Sequence, residues 1–156
     1  MAAGFDSFDA KEAMPMRPLV LGDTFLTSGR TIGEGDIGLF AGLVGDFTPV
    51  HVDESFAKTT VHGGRIAHGP HSMATAIGMF TQLNVLGERV IALLNLNWDF
   101  SGAVKIGDTV RARVKIASLR PTSKPGRNVG IFAFEVINQH EAVVQRGQMT
   151  VLLRAD

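Results

Sequence analysis

The sequence predicts one α+β domain in which an antiparallel sheet wraps around a buried helix. Four late stretches are rich in β-branched and apolar residues and are separated by turn signals, which is typical of consecutive antiparallel strands. Before them, residues 70–83 place apolar side chains at helical spacing and carry no charge, as a buried helix does. The chain has 156 residues, of which 45% are hydrophobic and 19% charged. That is enough apolar material for one real core.

Each element has its own signal. Residues 1–16 have no apolar run and are predicted to form a loose arm, so the single domain spans residues 17–156. A helix with Glu34 and Asp36 in its first turn, where carboxylates are favoured, precedes Gly45, a typical left-handed stop. The remaining predictions are a first strand over 26–32, that helix over 34–44, one short helix near 54–58, and later strands over 90–100, 109–119, 129–137 and 142–153.

Composition excludes several classes of protein. Fifteen basic side chains balance fifteen acidic ones, so no net charge directs the chain to nucleic acid or to an acidic membrane surface. Without cysteine it has no disulfide, thiolate nucleophile or Cys-ligated metal. No run of 18 apolar residues predicts a membrane span, and the acidic N-terminus does not resemble a targeting signal. We therefore expect a cytoplasmic protein.

A Gly-x-Gly-x-x-Gly sequence at residues 33–38 matches a dinucleotide-binding pattern literally. That reading requires an alternating βαβ unit and a helix N-terminus open to a phosphate. Here Glu34 and Asp36 would repel the phosphate, and the rest of the chain is mostly strand. The glycines are better explained as turn and packing residues.

The segment from Asp46 to His51 is the sharpest chemical feature. Asp46 follows the helix-ending Gly45, and Pro49 stiffens the short path to His51. A carboxylate and an imidazole brought together around a rigid turn can hold a water and pass protons in both directions. From spacing alone the ordinary alternative stays open, in which Asp46 caps a turn and His51 is a packed loop residue.

The start of the predicted central helix is a second candidate. Gly69 precedes Pro70, a favourable first helical residue, so Gly69 is the predicted N-cap. An uncovered amide there, at the positive end of the helix dipole, suits a developing oxyanion, although helix capping alone explains the same residues. A metal site is conceivable but not expected, since the histidines in question match no pair one helical turn apart: His51, His62, His68 and His71.

Taken together, these residues resemble the MaoC-like, (R)-specific enoyl-CoA hydratase family, which has the hotdog fold. The family signature reads roughly aromatic, small residues, Gly-Asp-x-Asn-Pro-aliphatic-His, and it appears here over residues 40–51. Similarity continues through residues 52–57, 63–69, 97–100 and 104–109. Thr48 stands where the signature usually has Asn, which puts the substrate's identity in question more than the acid/base pair.

The resemblance implies roles for individual residues. Asp46 and His51 would be the acid/base pair, and the Gly69 amide would bind the thioester oxygen. Water would add to a trans-2-enoyl thioester, or leave in the reverse direction, with a (3R)-hydroxyacyl thioester as the hydrated form. The expected substrate-binding residues are Thr48, Pro49, His68 and His71, of which the two histidines could equally be packing residues.

The resemblance also implies partners. No metal or redox cofactor is expected, because coenzyme A or acyl carrier protein is part of the substrate. We expect a homodimer or higher homo-oligomer in fatty acid metabolism, with no nucleic acid or membrane partner. Two alternatives remain open: a hotdog acyl-CoA thioesterase, and a non-catalytic subunit that binds acyl thioesters.

Overall fold

A computed structural model describes residues 17–155. The predicted arm over residues 1–16 lies outside this range. Helices α1 to α4 span Glu34–Val44, Pro49–Val52, Glu54–Ala57 and Gly69–Thr81, and a short 3-10 turn spans Gly87–Arg89. Strands β1 to β6 span Thr24–Leu26, Arg30–Thr31, Val90–Phe100, Thr109–Pro121, Arg127–Ile137 and Val143–Arg154. Within residues 17–155, no helix is both long enough and apolar enough to cross a membrane.

The strands form one antiparallel sheet in the order β1-β4-β5-β6-β3, with β2 also paired to β4. Side chains alternate along β4: Val110, Ala112, Val114 and Ile116 are buried, while Arg113 and Lys115 are exposed. This is the alternation expected of a sheet with one wet face. The four later strands lie within two residues of the predicted bounds, and the predicted α+β class is confirmed.

Helix α4 packs against the buried face of the sheet. Phe80 is fully buried and its ring contacts those of Phe25, Phe132 and Phe134 at centroid distances of 5.6–5.9 Å. The helix begins at Gly69, one residue earlier than predicted, and ends at Thr81, two residues earlier than predicted. The prediction of Gly69 as N-cap was wrong, because His68 is the N-cap and Gly69 is the first helical residue. Burial is also one-sided, because Pro70, Ala74 and Thr81 on this uncharged helix are exposed.

The prediction of one continuous strand over residues 26–32 was wrong. Thr27 separates β1 from β2, and its hydroxyl accepts a hydrogen bond from the Ala112 backbone N–H at 2.9 Å. The Thr27 N–H donates to the Ala112 carbonyl at 3.0 Å. A side chain thus replaces one backbone acceptor in the ladder, and two short strands result.

The segment between α1 and α4 carries the candidate residues and is more ordered than predicted. Besides the expected short helix it contains α2. Arg65 ties the segment together, with ion pairs to Glu34 on α1 at 2.7 Å and to Glu54 on α3 at 3.1 Å. Gly33 is the N-cap of α1, and its N–H donates to the Asp36 carboxylate at 2.8 Å. The glycine-rich motif is therefore a helix start.

Candidate active site

Asp46 is placed by the end of α1. Gly45 adopts the left-handed conformation, with φ of 77°, and its N–H closes the helix on the Ala41 carbonyl at 2.8 Å. The Oδ1 atom of Asp46 accepts two hydrogen bonds from Thr48, one from the hydroxyl at 2.6 Å and one from the backbone N–H at 3.1 Å. These bonds, that of the hydroxyl first, hold the pKa of Asp46 below its ordinary value. Asp46 is therefore an oriented carboxylate that stays ionised at neutral pH.

His51 lies on α2, which begins at Pro49. Its Nδ1 lies 2.8 Å from the Ile66 carbonyl oxygen, an atom that can only accept a hydrogen bond, so Nδ1 carries the proton. In the neutral ring, Nε2 is then the atom with a free lone pair. The fold thus selects the tautomer in which His51 can act as a base through Nε2.

His68 is the N-cap of α4 and lies against both members of the pair. Its Nε2 donates to the Asp46 main-chain carbonyl at 3.0 Å, and its ring stacks on His51 with centroids 3.8 Å apart and planes inclined by 27°. The Phe40 ring contacts His68 at 5.0 Å. Only 1% of His68 is exposed, so it is a buried side chain that packs against Asp46 and His51.

The side chains of Asp46, His51 and His68 offer three possible metal-ligand atoms within 4.8 Å of one another. The hydrogen bonds argue for a different use. His68 Nε2 faces a carbonyl oxygen and carries a proton, so it has no lone pair to offer a metal. The arrangement suits the movement of protons better than the coordination of an ion.

Gly69 and His51 line the same cavity, which has a volume of about 310 Å³. Gly69 is the first residue of α4, and within the described part of the chain its N–H donates no hydrogen bond. The Phe100 ring covers it so closely that an added Cβ would lie 3.0 Å from ring carbons. A free amide at a helix N-terminus therefore borders the cavity beside the imidazole.

Asp46 and the four predicted substrate-binding residues lie outside this lining. Thr48 bonds to the Asp46 carboxylate, and Pro49 begins α2. His71 is buried edge-on to Phe40 at 5.4 Å, and desolvation lowers its pKa. The structure thus places Thr48, Pro49 and His68 beside Asp46 or His51, and His71 against Phe40, rather than at the cavity wall.

Other residues that line the cavity were not predicted as site residues. They include His62, Ser72, Phe100 and Gln145. His62 was named only among the histidines of a conceivable metal site, and Gln145 offered a signal as a polar residue on a predicted strand. Its burial, with 1% exposed, depends on the packing of β6 against α4 and could not be read from spacing.

Comparison with known proteins shows the family to which the chain belongs. A family profile described as MaoC-like domain matches residues 18–129. The chain is 41% identical over 117 residues to the (R)-specific enoyl-CoA hydratase of Rhodospirillum rubrum, covering 74% of this chain and 80% of that protein.

Solved structures show the same fold. A monoamine oxidase regulatory protein from Archaeoglobus has a TM-score of 0.83 at 31% identity, over 88% of this chain and 92% of that one. A Mycobacterium tuberculosis protein described as a double hotdog fold has a TM-score of 0.79 at 23% identity, over 88% and 43% of the two chains, and supports the fold alone. The sheet wrapped around α4 is the hotdog fold, and the chain is an enzyme of the MaoC-like dehydratase family.

Proposed function

We propose that the protein adds water to a trans-2-enoyl thioester to give a (3R)-hydroxyacyl thioester, and catalyses the reverse dehydration. The observation that carries this proposal is the free Nε2 of His51, next to an ionised carboxylate and in the same cavity as the Gly69 amide. The (R)-specific relative from Rhodospirillum rubrum supports the reaction and its stereochemistry.

In this mechanism His51 moves the proton. A water held by the Asp46 carboxylate and His51 Nε2 attacks C3 of the enoyl group, and Nε2 takes the proton that the water loses. Asp46 stays ionised and stabilises the imidazolium. The imidazolium then returns its proton to C2, so no proton is gained or lost and His51 ends as it began.

Gly69 has the second role. As the nucleophile adds to C3, negative charge moves onto the thioester oxygen. The Gly69 N–H donates to that oxygen, and the positive end of the α4 dipole stabilises the same charge. The thioester carrier, coenzyme A or acyl carrier protein, arrives with the substrate, and the mechanism requires no metal or redox cofactor.

The test follows the loss of conjugated enoyl-thioester absorbance with crotonyl-CoA and longer trans-2-enoyl-CoAs. Asp46→Asn and His51→Ala should each lower kcat by about 100-fold or more, as expected when an acid/base group is removed. Asp53→Asn is the matched control, because Asp53 lies on the same segment but caps α3 through the Phe56 N–H. Its activity should stay within about twofold of wild type.

The two alternatives give different outcomes in the same assay. Release of free thiol would identify a thioesterase. Thermal stabilisation by a saturated acyl-CoA, with no turnover at any chain length, would identify a binding subunit. Either result contradicts the hydratase proposal.

We also propose that the protein forms a homodimer in which strand β3, at the edge of the sheet, contacts a second chain. Strand β3 ends the sheet and, in the described residues, pairs only with β6. Large apolar side chains along it are exposed: Val90, Ile91, Leu93, Leu94 and Phe100. An unpaired, apolar edge strand is a template for pairing with a second chain. Sedimentation should therefore give twice the chain mass, and a monomer would refute the dimer.

A further inference from the structure

A chain of buried polar groups connects the sheet to the first turn of α4. Trp98 on β3 donates from Nε1 to Gln145 Oε1 at 3.0 Å, and Gln145 Nε2 on β6 donates to Ser72 Oγ at 2.6 Å. Ser72 and Gln145 are each 1% exposed. Buried polar groups are costly unless fully hydrogen-bonded, so this chain of three side chains calls for an explanation.

The direction of each hydrogen bond is determined. The Trp98 indole can only donate, which makes Oε1 the acceptor and fixes the orientation of the Gln145 amide. The amide nitrogen then donates to Ser72. The Ser72 hydroxyl proton is left for the carbonyls of His68 at 3.3 Å and Gly69 at 3.2 Å.

The His68 carbonyl and the Gly69 N–H are the two ends of one peptide group. A hydrogen bond donated to the carbonyl draws electron density toward oxygen and makes the N–H of the same peptide a stronger donor. The bond also restrains the plane of the peptide, and with it the direction of the Gly69 N–H.

We propose that Trp98, Gln145 and Ser72 are positioning residues that orient and polarise the Gly69 amide. This inference rests on the proposed function, in which that amide binds the thioester oxygen. Removing an oxyanion donor outright costs on the order of 100- to 1000-fold in kcat. Polarisation along a hydrogen-bond chain changes the strength of a bond by about 10–30%, so weakening the donor through its own peptide should lower kcat about 2- to 8-fold.

Trp98→Phe is the central variant, because Trp98 is absent from the cavity lining and phenylalanine retains an aromatic ring. Its kcat should fall about 2- to 8-fold, with KM within about twofold of wild type. The Trp98→Phe/Gln145→Met double variant should be no slower than Gln145→Met alone, since both act through Ser72. The matched control is Phe134→Leu, whose native ring packs on Trp98 at 5.2 Å without a polar group. It should lower Tm and leave kcat within twofold.

A second readout needs neither substrate nor turnover. In protein labelled with ¹⁵N-glycine, the Gly69 nitrogen resonance responds to hydrogen bonding at the His68 carbonyl. It should move in the same direction in Ser72→Ala, Gln145→Met and Trp98→Phe, most in Ser72→Ala, and stay unchanged in Phe134→Leu. An unmoved resonance overturns the inference, as does an unchanged kcat in an active enzyme. If wild type is inactive and the resonance still moves, the proposed function fails and the control of the Gly69 peptide stands.

Discussion

His68 makes two separable contacts with the acid/base pair, and single substitutions can remove either one. His68→Phe keeps an aromatic ring to stack on His51 and loses the N–H that holds the Asp46 carbonyl. His68→Gln keeps an N–H donor and loses the stacked ring. Since His68 is buried and outside the cavity lining, both variants should act on the position of the pair and not on substrate binding.

The structure sets the expected magnitude. A hydrogen bond from N–H to a neutral carbonyl contributes about 0.5–1.5 kcal/mol, and a stacked ring pair about the same. With a loss of about 1 kcal/mol, each variant should show kcat reduced about fivefold and Tm lowered by about 2–4 °C. His68→Ala loses both contacts and should fall about 25-fold or further.

The assay is steady-state hydration of an enoyl-CoA with kcat and KM measured separately. The expected signature is a lower kcat at unchanged KM. His71→Gln is the matched control, because His71 packs on the same Phe40 ring but contacts neither Asp46 nor His51 among the described residues. If His68→Phe and His68→Gln both keep wild-type kcat, or if only KM changes, His68 does not position the pair.

Three further predictions follow from single contacts. Gly69→Ala keeps the amide N–H but places a Cβ 3.0 Å from the half-exposed Phe100 ring, which can move outward. The added methyl group and the displaced ring narrow the approach of the thioester oxygen to that N–H, so Tm should change little while kcat falls at least about tenfold. An unchanged kcat would show that the thioester oxygen does not approach the amide past this ring. Thr48→Val removes the hydroxyl hydrogen bond that is the largest cause of the lowered pKa of Asp46. That pKa should rise, so the acidic limb of the kcat/KM profile should move to higher pH. A limb that does not move would contradict the role of ionised Asp46 in the reaction. Desolvation lowers the pKa of His71 in the folded protein. Below about pH 6.5, His71 is therefore protonated in the unfolded chain while it is still neutral in the folded protein. The free energy of unfolding then decreases as the pH falls toward the lowered pKa. Urea unfolding at pH 7.5 and 5.5 should therefore show a smaller loss for His71→Leu than for wild type, and equal losses would contradict this.

Local signals were sufficient for most elements of the fold. The alternation of Arg111, Arg113 and Lys115 with apolar residues marked a strand with one wet face, and Gly45 ended α1 in the predicted left-handed conformation. These features depend on side-chain period and on backbone preferences of single residues, which neighbours in sequence determine.

The boundaries of two elements were predicted wrongly because a contact with a residue far away in the sequence determines them. The break after β1 depends on the Thr27 hydroxyl meeting the backbone of Ala112, 85 residues later. The start of α4 moved one residue because His68, held by the Asp46 carbonyl, became the N-cap. No periodicity in the sequence records such contacts.

By itself the sequence determined the class of fold, the family, and the candidacy of Asp46, His51 and Gly69, because residue type, spacing and helix-start chemistry are local properties. Tertiary structure decided what these groups can do. The tautomer of His51 depends on the Ile66 carbonyl, and the chain from Trp98 ends at the carbonyl of the His68–Gly69 peptide through residues on three separate elements. Hydrogen-bond direction and ring stacking are set by the relative positions of atoms far apart in the chain, and only folding brings those atoms together.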